Sequence, residues 1–385
     1  MIGLVEPARL FGSAAARGGA LRVVHVIDAY ASAGPALWGK ERVVRSLMRA
    51  QRASGAVEPS LVSFTPCPLA HQMAAEGFNV STLEPSHSAI PARSLLALRR
   101  ALSVRGGCVV HTHGYKANVV TRLARASGTS IPALVSTCHG WGIETARARL
   151  YNELDRRTAP LSDVTTVASE SMLGRFGASA RVRFIANAIP DQAPADAQQR
   201  REARARFGFP EDRIVIGVLG RTSAAKGLPD VLAAAASTFD RPFVWAVAGV
   251  GEDGKPPGQD PPPNVRFLGY VSDTASYLAA LDLYVQASHA EGLSLALLEA
   301  MRAERAIVAT DTGSTAFAVR DGNEGLLIRP GDVRGLVGAV DRVASDETLR
   351  SRLGAAARAR FADAFRIERQ HEAFLALYRL PAGAA

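Results

Sequence analysis

Cysteine is scarce: Cys67, Cys108 and Cys138 are the only three in 385 residues, and no Cys-x-x-Cys occurs. That excludes a disulfide framework and a zinc knuckle and fits a reducing cytoplasm. No run of about 18 apolar residues is present, so no membrane-spanning helix is expected. Asp-x-Asp is absent as well. Lysine is confined to Lys40, Lys116, Lys226 and Lys255, the other basic residues being arginine. In such a chain a lysine marks places where a compact ammonium is wanted rather than a planar fork. Residues 1–20 lack a long apolar core and carry Glu6, Arg9 and Arg17. They read as a flexible extension, not a signal peptide.

What is present is globular. Hydrophobic residues make up 48% and charged residues 21%, which excludes disorder, collagen and coiled coil as the main state. The length suggests two domains, with three the alternative. Charge is lopsided: residues 1–200 hold 23 Lys+Arg against 13 Asp+Glu, a net +10, while the remainder hold 22 against 23, a net −1. A basic half beside a neutral half points to an anionic partner, either a bilayer surface or a phosphorylated substrate. Solvated arginines that keep the chain soluble are the plainer reading. Nucleic acid is not expected, because zinc-finger spacing, RNP-like aromatics and a basic zipper helix are all missing.

Short apolar runs alternate with helical periodicity. Runs at 21–27, 59–64, 78–83, 108–111, 133–136, 164–167 and 182–185 read as strands, with helices such as 40–53, 93–104, 117–126 and 145–158 between them. After a polar stretch the alternation restarts, with strands at 214–219, 243–248, 265–268, 283–286, 306–310 and 325–328. The expectation is an α/β chain of two Rossmann-like, doubly wound domains facing a cleft. The divisions are an extension over 1–20, an acceptor-side domain over 21–190, a linker over 191–212, a nucleotide-sugar domain over 213–365, and a C-terminal helix and tail over 366–385 that folds back on the first domain.

Two constellations carry chemistry. In Glu291-Gly-Leu-Ser-Leu-Ala-Leu-Leu-Glu299, the first carboxylate lies in a loop after a strand and the second inside an apolar helix starting near Ser294. There Leu295, Leu298 and Met301 should pack on the sheet, and a carboxylate among them is costly without a partner. In Gly220-Arg221-Thr-Ser-Ala-Ala-Lys226-Gly227, two cations share one loop ahead of a helix N-terminus, which suits a diphosphate. Taken singly, each also reads as an ordinary solvated helix or turn.

These motifs, with Asn187-Ala-Ile-Pro190 after a strand, resemble the family 4 retaining glycosyltransferases of GT-B fold, over about residues 21–380. His111-Thr-His113-Gly-Tyr-Lys116 and Ser136-Thr-Cys-His139-Gly-Trp141 agree. Asn187-Ala188 departs from the Asn-Gly frequent in relatives, and Gly34 and Gly39 stand apart where an adjacent pair is usual. The resemblance implies a retaining, metal-independent hexosyl transfer from a UDP- or GDP-linked sugar to an acceptor hydroxyl, in bacterial polysaccharide or glycolipid assembly, with no cofactor. It implies catalytic roles for His139, Arg221, Lys226 and Glu291. Donor contacts fall to Gly39, Gly220, Gly249, Gly251, Gly292, Leu293, Ser294, Leu295 and Glu299, with Glu299 on the ribose, and the loop Gly34–Lys40 approaches the phosphates. Lys116, His113 and Trp141 fall on the acceptor side. The partners implied are the nucleotide sugar, a lipid-linked or glycan acceptor and an anionic membrane surface, with the protein cytoplasmic and peripheral at the inner face of the plasma membrane. A sugar-nucleotide epimerase of the same fold and a non-catalytic binding module remain the alternatives.

Three features are set aside. Gly249-Val-Gly-Glu-Asp-Gly254 matches a dinucleotide fingerprint, but the prolines from Pro256 onward forbid the helix it needs. His111 and His113 are expected to point to opposite faces of a strand end, so no shared metal is foreseen and at least one is structural. Cys138 beside His139 reads as a buried thiol, not a nucleophile–base dyad; Trp141 serves as core or as an acceptor platform. A helix with Arg93, Arg99, Arg100 and Arg105 opposite Leu95, Leu96 and Leu98 suits a membrane face or an ordinary surface.

Overall fold

The computed structural model describes residues 19–29, 37–83, 92–103, 108–140, 146–176, 181–249 and 261–379. Most of the N-terminal extension lies outside them, as do Gly34, Arg105, Trp141 and Gly251. The chain divides into two compact units, one running to Ala186 and resumed from Ile367, the other Asn187–Arg366.

The first unit strings together β1 (Leu21–Ile27), α1 (Gly39–Ser54), β2 (Val57–Ser63), α2 (Pro68–Ala75), β3 (Asn79–Thr82), α3 (Ala92–Ser103), β4 (Val109–His113), α4 (Tyr115–Ala126), β5 (Ala133–Cys138), α5 (Ala146–Thr158), β6 (Val164–Val167) and β7 (Val182–Phe184). The second contains α6 (Ala197–Phe207), β8 (Ile214–Leu219), α7 (Leu228–Ala236), β9 (Phe243–Ala248), β10 (Val265–Gly269), α8 (Thr274–Ala279), β11 (Leu283–Gln286), α9 (Leu295–Arg302), β12 (Ala306–Thr310), α10 (Thr315–Ala318), β13 (Leu326–Ile328), α11 (Val333–Ser345) and α12 (Glu347–Ala364). A last helix, α13 (Ile367–Tyr378), returns to the first unit and packs against α1.

Among the described residues both sheets are parallel, in the orders β3-β2-β1-β4-β5-β6-β7 and β10-β9-β8-β11-β12-β13. The central strands of the second sheet, such as β8 (IVIGVL) and β9 (FVWAVA), read as unbroken apolar runs, as parallel strands covered on both faces do. In each sheet the order reverses once, between β1 and β4 and between β8 and β11. Doubly wound sheets bind ligands outside the carboxyl ends of the strands at such a reversal.

The stretch expected as a linker, 191–212, is instead part of the second unit. Its polarity serves α6, where Arg200 and Arg204 both pair with Asp282. Asp282 also accepts from the Val215 amide at 2.7 Å, so one carboxylate ties α6 to the start of β8. The unit boundary falls at Ala186, short of Pro190. α13 buries Phe374 and Tyr378 among Val23, Leu47, Val109 and Val135 of the first unit. In α3, Leu98 and Leu102 are buried while Leu96 is 56% exposed, so the apolar stripe runs through Leu95, Leu98 and Leu102, at helical spacing. Among the described residues no helix is long and apolar enough to cross a membrane.

Candidate active site

In the second unit both constellations sit at the strand-order reversal. The Gly220–Gly227 loop leaves β8, and the loop carrying Glu291 leaves β11, the neighbouring strand. They line one pocket with Gly220, Arg221, Thr222, Lys226, Ser288 and Glu291 at its polar side. Lys226 Nζ donates to Glu291 Oε1 at 2.5 Å, and Ser288 Oγ donates to the same oxygen at 2.8 Å. Arg221 is exposed.

Backbone contacts fix the two loops to each other. The His289 amide donates to the Ala225 carbonyl at 2.9 Å, and a Cβ on Gly227 would overlap the Ala287 carbonyl oxygen. A third loop, after β12, supports them from behind. Thr310 Oγ1 donates to the Ser288 carbonyl at 2.6 Å, and the Ser314 amide to the Gly292 carbonyl at 2.9 Å. Gly313, at φ 62°, lies so close that any side chain would strike the Glu291 carbonyl. Asn187 Nδ2 donates to the Leu293 carbonyl at 3.0 Å, which joins the Asn187–Pro190 motif to the Glu291 loop.

Ser294 is the N-cap of α9, its hydroxyl accepting from the Leu297 amide, and Leu295 is the first helical residue. Leu297, Leu298 and Met301 make the buried face of α9, with Leu295 only half-buried. Glu299 is 2% exposed and accepts from Thr274 Oγ1 at 3.3 Å. Tyr284 of β11 lines the pocket and was missed in the sequence, because nothing separates it from an ordinary core tyrosine. Burial pushes its phenol well above the usual range, and the charges of Glu291, Tyr277 and Glu299 add to that. Gly249 follows β9 directly, where a Cβ would collide with the Gly220 carbonyl.

The first unit carries a cluster of buried histidines on its central strands. His25 on β1 lies beside His111 on β4 in the sheet register. His111 and His113 were expected on opposite faces, but residues two apart on a strand share a face, and their ring centroids lie 4.1 Å apart. His25 Nδ1 and His113 Nε2 are 2.9 Å apart, and His113 Nδ1 is 3.2 Å from His139 Nε2. The three rings of His25, His111 and His113 are close enough to be weighed as a metal site. Two nitrogens on one tetrahedral zinc stand about 3.3 Å apart at bond lengths of about 2.0–2.1 Å; the 2.9 Å spacing is that of a hydrogen bond. Burial depresses all four imidazoles, His25 to about 4 and His139 to about 3, with the Lys40 ammonium adding to the effect at His139. They are neutral at pH 7.

His113, expected to face an acceptor, is 1% exposed and reaches outward only through the half-buried His139. At that burial it is too enclosed to face an acceptor itself, as it was expected to. Gly39 is the first residue of α1, and Lys40 Nζ pairs with Asp28 Oδ1 at 2.6 Å beyond the end of β1. Lys116 lies over the Phe64 ring at 5.4 Å. Cys138 is buried, its thiol pushed well up by burial first and the Asp155 charge second, in keeping with an inert side chain.

Two family models match the chain: a "glycosyl transferase 4-like domain" over residues 38–188 and "glycosyl transferases group 1" over residues 199–360. A lipopolysaccharide core biosynthesis glycosyltransferase, LpsE of Rhizobium meliloti, is 30% identical over 155 residues, 39% of this chain and 45% of that protein. A D-inositol 3-phosphate glycosyltransferase of Nocardioides is 29% identical over 348 residues, 79% of this chain and 74% of the relative. Among solved structures, Anabaena HepE in complex with UDP and glucose superposes with a TM-score of 0.75 at 16% identity, covering 92% of this chain and 98% of that one. With one model over its first half, the other over its second, and two parallel-sheet units of the GT-B type, the chain belongs to the family 4-type glycosyltransferases.

Proposed function

We propose that the protein transfers a hexosyl group, with retention and without a metal, from a UDP- or GDP-linked sugar to a hydroxyl of a lipid-linked or glycan acceptor. The observation that carries this reading is the Lys226–Glu291 contact. Two motifs 65 residues apart meet at 2.5 Å, outside the carboxyl ends of neighbouring strands at a strand-order reversal. Lys226 and Arg221 take the donor diphosphate, Glu299 the ribose, and the amides of Gly292, Leu293 and Ser294 the sugar or phosphate, with Glu291 beside the transferred sugar. His139, which belongs to the first unit, keeps the catalytic role that the resemblance implies. HepE, solved with UDP and glucose, supports a nucleotide-sugar donor.

In this reading the bond between the anomeric carbon and the β-phosphate oxygen breaks, and its electron pair goes to the phosphate. The acceptor oxygen attacks from the same face and its proton passes to a phosphate oxygen. The negative charge that grows on the β-phosphate meets Lys226 and Arg221, already in place, so little reorganisation is needed. In the free protein Lys226 is held by Glu291; a diphosphate competes for that ammonium.

The test is a donor screen by nucleoside diphosphate release, with and without acceptor and with excess EDTA. Release that needs both donor and acceptor and persists in EDTA is expected. Sugar isomerisation with donor alone would identify an epimerase. Loss in EDTA that magnesium or manganese restores would overturn the metal-free mechanism.

A further inference from the structure

The two hydrogen bonds that Glu291 accepts differ in kind. Both end on Oε1, one from Lys226 Nζ at 2.5 Å and one from Ser288 Oγ at 2.8 Å. Their directions are fixed by chemistry, since an ionised carboxylate only accepts and an ammonium only donates. Lys226 comes from a different loop, on a side chain that is 29% exposed against 8% for Glu291. Its ammonium rides on a flexible four-carbon stem and can swing to another anion. Ser288 is 2% exposed and stands three residues before Glu291 in the same loop. Its backbone is held from the next strand, where Thr310 Oγ1 donates to the Ser288 carbonyl at 2.6 Å. With that backbone fixed, a single torsion places the hydroxyl. Among the described residues the second carboxylate oxygen, Oε2, takes no hydrogen bond, and Ser288 and Glu291 both line the pocket. One oxygen is thus anchored twice and the other is left for a ligand.

We propose that Ser288 is a positioning residue whose hydroxyl keeps Glu291 in place when a donor diphosphate draws Lys226 away. This deepens the proposed transfer reading and rests on it for the diphosphate and for the sugar beside Glu291. In the unliganded protein Oε1 has two donors. Once a phosphate takes the ammonium, the Ser288 hydroxyl is the donor that stays. A carboxylate so little exposed is costly to leave with no donor at all. Without Ser288, Glu291 therefore either retains its lysine or turns toward water. The first outcome weakens diphosphate binding; the second takes Oε2 off the sugar. Ser288 accordingly matters little while Lys226 is in place and most when the site is loaded.

The test is a double-mutant cycle on nucleoside diphosphate binding, read by calorimetry with UDP and with GDP on the full-length protein, so that neither sugar nor turnover enters. Ser288→Ala should weaken binding of the nucleotide that wild type takes by about 3- to 10-fold, the worth of one hydrogen bond. In a Glu291→Ala background the same substitution should have no effect. Glu291→Gln, which loosens the hold on the ammonium, should tighten binding, a change of opposite sign from the same loop. Ser288→Cys, close in size and a much weaker donor, takes the place of Ser288→Ala should that variant not fold. An equal loss in both backgrounds, no loss in either, or weaker binding by Glu291→Gln overturns the role of Ser288. If neither nucleotide binds, or Lys226→Ala leaves affinity unchanged, it is the diphosphate reading that fails, and the inference falls with it.

Discussion

The two units share a strand order through their first six strands and set different polar groups where that order reverses, although each buries an ion pair elsewhere, Arg122 with Asp155 in the first and Arg204 with Asp282 in the second. At the reversal of the second sheet, charges are paired: Lys226 with Glu291 in the pocket and, beneath it, Arg200 and Arg204 with Asp282. At the reversal of the first, His25, His111 and His113 are packed together neutral, His25 bonded to His113 and to Gln51, with the Lys40–Asp28 pair beyond the end of β1. Paired ions suit a site that must receive an anion, because a cation already lies where phosphate charge will grow. A neutral network keeps buried polar atoms hydrogen-bonded at little desolvation cost. The two halves should accordingly fail under different insults.

The largest expected effect is on turnover. Lys226→Ala and Arg221→Ala should each lower kcat by about 10²–10³, as loss of one preorganised donor does, with thermal melting almost unchanged. Wild-type turnover in both folded variants would move the diphosphate site elsewhere. Next comes stability in the second unit. Asp282→Ala strands two arginines, one of them with a side chain only 7% exposed, and the Val215 amide. A cost of ~3 kcal/mol in urea unfolding is expected; a cost below ~1 kcal/mol would show that this carboxylate is replaceable.

Acid should single out the first unit. The folded state holds His25 at about 4, against 6.5 in the unfolded chain, so the unfolded state binds protons first as pH falls. The stabilisation is complete above about pH 6.5 and drains away toward pH 4, and His25 alone accounts for ~2 kcal/mol by pH 5. His111 and His113 act in the same direction. In the second unit His289 is exposed and pairs with Asp230 at 2.7 Å, away from the buried sheet. Hydrogen exchange, corrected for intrinsic rates, should show protection falling between pH 7 and pH 5 in peptides of β1, β4 and β5 and holding in β8 and β11; equal loss in both would sink the contrast.

The smallest effect concerns surfaces. The net +10 of residues 1–200 should draw the protein to anionic vesicles over neutral ones, fading with salt as the screening length shrinks to ~8 Å at physiological ionic strength. Equal partitioning would leave the arginines as solubility residues.

Regular structure was readable where burial is two-sided. The runs at 164–167, 214–219, 243–248, 283–286 and 306–310 are strands with those same ends, since an unbroken apolar run between turn residues has few other solutions. The pocket was readable in part because charge in apolar surroundings stands out, as at Glu299, and because cations beside a glycine turn have a recognisable spacing. What escaped notice looks ordinary in one dimension. Tyr284, Gln51 and Tyr378 acquire their roles from neighbours far along the chain. The polar 191–212 stretch resembles a linker until Asp282 is seen to collect its arginines. The histidine pair was misjudged through its strand phase, which put on two faces residues that the pleat puts on one.

The return of α13 to the first unit sets an order of events during synthesis. Asn187–Arg366 is one continuous stretch, so its sheet can close as soon as it has left the ribosome. The first unit, although begun earlier, lacks Phe374 and Tyr378 until residue 378 has emerged, and β1, α1 and β4 wait with an uncovered face. The half that is translated first is thus the half that finishes last, and a nascent chain stalled before residue 367 would present that face to chaperones.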